Sequence, residues 1–189
     1  MGNERISNDL LSLLNNLNEH GENETIIRIF DYLYKKLAEL RYKNAVRSER
    51  EKNIWDDPDM HYKSVFLEEA REFSLEWEDN YTLFKLASFL QHEEIMLFLF
   101  KSMVQNLDNI RYRLADKTER SKVSWINPEF HEKEVNFEVA LERKKELDDL
   151  MKMYNIAKDF EFKQGMEYVV EQLQNRGFST EELKSNFKK

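Results

Sequence analysis

Four carboxylates, Glu68, Glu69, Glu72 and Glu76, stand at steps of one, three and four. On a helix, Glu69, Glu72 and Glu76 share a face, and Glu68 pairs with Glu72. Like charges this close raise one another's pKa unless a cation sits among them. A hydrated Mg²⁺ carrying a substrate phosphate is such a cation, because it takes one or two protein carboxylates and keeps several waters. Glu69 and Glu72 are therefore the metal-ligand candidates. Glu93 and Glu94 are the acids that a second helix would bring. Together Glu68, Glu69, Glu72, Glu93 and Glu94 form the candidate catalytic set of a Mg²⁺-dependent nucleotide or phosphate hydrolase. The competing reading is a solvated acidic face relieved by Lys63 and Arg71, and it is the more economical one. Any acidic helix produces these steps.

The other reactive residue types assemble less. Of the four histidines, only His92 has immediate acidic neighbours, Glu93 and Glu94. Adjacent residues on a helix point apart, so the three are not a chelating set by themselves. Helical di-iron sites need Glu and His three residues apart, twice. No Glu stands three residues before His20, His61, His92 or His131. The chain has no Cys, which removes thiolate metal sites, cysteine nucleophiles and disulfides. Its four glycines are not clustered, so no phosphate-cradling loop is expected.

The stretch Glu68-Glu69-Ala70-Arg71-Glu72 resembles the Glu-Glu-x-x-Glu of the all-alpha nucleoside triphosphate pyrophosphohydrolases. The resemblance covers five residues. It implies half of a Mg²⁺ site that cleaves between the alpha and beta phosphates. The family's other half is a Glu-x-x-Asp on a following helix. Here Glu76-Trp77-Glu78-Asp79 has that pattern, but on the same stretch as the first half, and no Glu-x-x-Asp occurs in the central helix.

The elements that would position these residues read as helices. Four Gly and two Pro in 189 residues leave few tight turns, which disfavours a sheet-rich fold. With 41% hydrophobic and 13% aromatic residues, the chain has the means to build a core. The run Ile95-Met96-Leu97-Phe98-Leu99-Phe100 would place apolar side chains around a whole helix, so it is expected to be enclosed by other elements. Met103, Val104 and Leu107 continue it. Tyr81 to Ala115 is read as the region of this central helix, with Gln91-His92 as a polar interruption.

Around that helix the other elements follow in order. Residues 1–22 form a polar segment whose Leu10, Leu11, Leu13, Leu14 and Leu17 make a short helix ending at His20-Gly21. Ile26, Ile29, Phe30, Leu33, Leu37 and Leu40 then mark one stripe of a second helix. Asp57-Pro58 and Asn127-Pro128 are cap-plus-proline helix starts. The helix from Pro58 either ends near Asp79-Asn80 or runs on toward Leu90. A last long helical region spans about Glu129 to Arg176, with Gly165 its weak point and Gly177 its C-cap. Ser179-Thr180-Glu181-Glu182 is a capping box for a short final helix. The expectation is an all-α, irregular bundle of about five or six helices around residues 95–107. Residues 23–177 form the bundle, and 178–189 the short C-terminal helix.

Charge and composition bound the partners. The net charge is −8, and residues 54–96 carry eleven acidic against three basic side chains. Such a field repels nucleic acid phosphates and suits a basic protein surface. The longest apolar run is six residues, far short of the roughly 20 a membrane helix needs. With no leader-like N-terminus, the default location is the cytoplasm. Trp55, Trp77, Trp125 and Phe187 are the interface candidates, since aromatic residues are enriched at binding hot spots. The length of the last helical region points to a homo-oligomer. The preferred reading is a non-catalytic intracellular protein that binds another protein, with no cofactor. The alternative is the Mg²⁺-dependent hydrolase.

Overall fold

The computed structural model describes residues 8–44, 58–114 and 128–178, with side chains at 9–41, 69–114 and 140–178. Among the described residues there are six helices and no strand: α1 (Asn8–Glu19), α2 (Asn23–Asn44), α3 (Pro58–Phe89), α4 (Glu93–Leu114), α5 (Pro128–Asp159) and α6 (Lys163–Asn175). The all-α expectation holds. The helix from Pro58 does not stop at Asn80. It continues to Phe89, because nothing between those residues breaks the backbone and Leu83, Phe84, Leu86 and Ala87 all have a core to enter.

The chain divides into two compact units. The first holds α1, α2, α3 from Leu75 onward and α4 as far as Met103. Its core is Leu14, Ile26, Phe30, Phe84, Leu99 and Phe100, with Phe84 and Phe100 ring centroids 5.9 Å apart. The Asn18 side-chain amide donates to the Leu90 carbonyl at 3.1 Å, tying α1 to the end of α3. The second unit holds α3 before residue 75, α4 from Val104, α5 and α6. Leu150, Met153, Phe162, Val169, Leu173 and Phe178 are buried there.

Three hairpins share one turn. Gly21, Gln91 and Glu161 adopt φ of 71°, 55° and 51°. In each, the next residue's N–H reaches back to the carbonyl five residues earlier: Glu22 to Leu17 at 2.9 Å, His92 to Ala87 at 3.0 Å, Phe162 to Ala157 at 2.7 Å. The left-handed residue itself bonds to the carbonyl three back, at Asn18, Ser88 and Lys158. This pair of bonds is the Schellman ending, which satisfies the last carbonyls of a helix. Each following helix starts at once, with Ile26, Met96 and Met166 donating to Glu22, His92 and Phe162.

This turn corrects two expectations. The central helix does not carry Gln91-His92 as an interruption; α3 ends there and α4 begins at Glu93. The last helical region breaks at Phe160–Phe162 and not at Gly165. Gly165 lies inside α6, where a Cβ would press on the Phe162 ring, so its role is close packing. The long region is thus a hairpin, and the length argument for self-association falls away. The enclosed apolar run also needs correction. Ile95, Met96, Leu99 and Phe100 are buried, but Phe98 is 57% exposed.

Gly21, Gln91 and Glu161 are 70 residues apart in turn. The helices keep the same step: α2 and α4 are both 22 residues long, and α3 and α5 both 32. The sequence repeats with them. Arg41-Tyr42, Glu49-Arg50, Lys52, Trp55, Pro58, His61, Lys63 and Val65 return as Arg111-Tyr112, Glu119-Arg120, Lys122, Trp125, Pro128, His131, Lys133 and Val135. Glu72, Glu76 and Asp79 return as Glu142, Glu146 and Asp149. The chain is an internal duplication of a 70-residue helical unit, flanked by partial copies.

Candidate functional site

In the first unit, Arg41 near the end of α2 donates from Nη1 to Asp79 Oδ2 at 2.5 Å, and its Nη2 lies 3.9 Å from Glu76 Oε2. Tyr34 donates its hydroxyl to Glu76 Oε1 at 3.1 Å. Burial, then the Glu76 carboxylate, raises the Tyr34 pKa, so the phenol stays protonated as a donor. Beside this clamp, α3 carries a row at steps of four. Trp77 stacks on Tyr81 with centroids 5.3 Å apart and planes 23° from parallel. The Lys85 ammonium sits 4.9 Å from the Tyr81 ring centroid.

The second unit repeats the clamp and enlarges it. Arg111 donates to Asp149 at 2.8 Å and to Asp108 at 2.5 Å, and lies 3.7 Å from Glu146. Arg176, just past α6, grips Asp108 with both terminal nitrogens at 2.7 Å and reaches Glu146 at 2.8 Å. Burial pushes the Asp108 carboxyl up, but the guanidiniums of Arg176 and Arg111 outweigh it and hold the pKa below the usual range. Asp149 has only Arg111 bonded to it, so burial prevails and its pKa rises. Hydrogen bonding to Asp108 holds the Arg176 charge in place. Arg143 donates to the Gly177 carbonyl at 2.7 Å and lies over the Phe178 ring at 4.3 Å.

The sequence-derived acidic set is divided between the two units. Glu69 faces Arg113, with Oε2 2.9 Å from Nε, so a protein cation already sits beside it. Glu72 is half-buried in the same unit. Glu93 and Glu94 are exposed in the first turn of α4, in the first unit. Among the described residues, no three of His, Asp and Glu are grouped to hold a metal ion. The Glu68 side chain lies outside the described residues, as do Trp55, Trp125 and Phe187. Trp77 is half-buried and takes part in the aromatic row.

Two features escaped reading of the sequence. The arginine clamps join residues 38 apart, and no local pattern announces that. The duplication was visible in principle, by laying the chain on itself at an offset of 70. Trp55 and Trp125, chosen separately as interface candidates, are the same position in the two copies. No helix among the described residues is long and apolar enough to cross a membrane. Comparison with protein-family models, with curated proteins and with solved structures finds no match.

Proposed function

We propose that this chain is a non-catalytic, intracellular helical protein that acts by binding another protein, with its acidic middle turned to a basic partner surface. One observation supports this above the rest. Carboxylates of the acidic stretch are engaged by the chain's own guanidiniums, Glu69 by Arg113 and Glu76 with Asp79 by Arg41, while aromatic side chains on the same helix stay half-exposed. Carboxylates neutralised in this way leave less charge for a metal, and the exposed Glu78 and Glu94 are the acids that a basic partner would meet.

The test sets the two function classes against each other. Purified wild type and Glu72→Gln are melted with and without Mg²⁺, assayed for release of phosphate or pyrophosphate from nucleoside triphosphates, and used as bait for partners in cell extract. A binding protein keeps its partner in both forms, melts alike with and without Mg²⁺, and turns over nothing. A Mg²⁺-dependent rise in melting temperature, with turnover lost in Glu72→Gln, makes the chain a hydrolase and overturns the proposal.

A further inference from the structure

Trp77, Tyr81, Lys85 and Phe89 lie at successive steps of four along α3. The first three are half-exposed and Phe89 is 62% exposed. The second copy carries Leu147, Met151, Asn155 and Asp159 at the equivalent places. The same helix, of the same length, is therefore built there without a single ring in this row. The stack is a property of the first copy that its repeat geometry does not demand.

The surroundings of the row are anionic. Glu78, exposed, lies one turn before Tyr81 on the helix surface. Exposed Glu93 and Glu94 follow in the same unit. An aromatic face attracts cations through its quadrupole, and neighbouring carboxylates add charge. The chain already shows this chemistry, since Lys85 is held over the Tyr81 ring. A guanidinium fits such a face best: it is planar, permanently charged, stacks on rings and donates to carboxylates from its edge.

We infer that the Trp77–Tyr81–Phe89 row of α3, with Glu78, docks an arginine-rich segment of a partner protein. The inference rests on the protein-binding reading and names the chemistry of the partner. Lys85 occupies part of the face in the free protein and yields it to the incoming guanidinium.

The test uses the full chain and an octa-arginine peptide, with octa-lysine as the comparison, by calorimetric titration at about 0.15 M salt. Trp77→Leu with Tyr81→Met installs the second copy's own residues. Phe89→Gln alters only an exposed side chain, and it carries the test if the double variant melts early. Wild type is expected to prefer octa-arginine over octa-lysine, and the double variant to bind octa-arginine about tenfold more weakly. Lys85→Asn is expected to keep or tighten binding although it removes a side chain from the face. Equal affinity of wild type and folded variants, or no preference for arginine, overturns the inference. A natural partner retained equally by wild type and the double variant also overturns it, while leaving the protein-binding reading intact. Absence of any partner overturns both.

Discussion

Arg41 and Asp79 are joined at 2.5 Å in the first unit, and one repeat later Arg111 and Asp149 are joined at 2.8 Å in the second. Each bond spans 38 residues and ties the end of a short helix to the middle of the long helix that follows. Both arginine side chains are 17% exposed, so these pairs are shielded from water more than an ordinary surface bridge. Arg41→Ala and Arg111→Ala are each expected to lower stability by about 1–3 kcal/mol, because each strands a partly buried carboxylate. Urea unfolding of the two variants measures it. Loss of only a few tenths, the value of an exposed pair, would show that water screens the clamp.

Acid should act through Asp108. Its folded pKa lies below its unfolded value, so its contribution is fully present above the unfolded pKa and disappears as pH falls through the folded one. Asp149 has the opposite sign. Its pKa is raised, so its burden on the fold is present at neutral pH and is relieved as pH falls. The expected result is a steeper loss of stability below about pH 4 in wild type than in Asp108→Asn. Parallel pH profiles for the two proteins would remove Asp108 from the account.

Asn80 is fully buried, and neither of its amide atoms has a hydrogen-bond partner in the protein. The equivalent positions hold Leu10 and Leu150, the latter buried. Asn80→Leu should therefore stabilise by about 1–3 kcal/mol, the cost of an unsatisfied buried polar group. Thermal melting gives the sign directly. A fall in melting temperature would mean that the amide is paired through bound water.

The turns offer a matched set. Gln91 and Glu161 take a left-handed conformation that costs a side chain about 1 kcal/mol, whereas Gly21 takes it freely. Gln91→Gly and Glu161→Gly should each gain up to about 1 kcal/mol, and Gly21→Ala should lose a similar amount. Gly165→Ala should be destabilising for a different reason: its Cβ would strike the buried Phe162 ring and lie 3.1 Å from the Ala157 Cβ. Overpacking of that kind costs about 1–3 kcal/mol. Calorimetric melts of the four variants separate backbone strain from crowding.

Much of the fold was legible because it is local. The scarcity of Gly and Pro, the stripe from Ile26 to Leu37, and Pro58 and Pro128 as helix starts all act within one or two turns of chain. Helix ends at Gln91 and Glu161 were not legible, because neither residue favours a left-handed turn on its own. They are held there by the Schellman bonds and by the helices packed on either side. The acidic face on α3 was legible as a charge pattern, but the pattern says nothing about which cation answers it.

The sequence by itself determined an all-helical chain with an acidic middle, and its 70-residue period with it, since periodicity and composition are carried in the residue order. Tertiary structure alone decided that Arg113 sits against Glu69, that Arg41 and Arg111 make equivalent clamps, and that Phe98 faces solvent from within an apolar run. Those outcomes depend on how helices distant in the chain are brought together. Local propensity does not encode that arrangement; the packing of the two cores does.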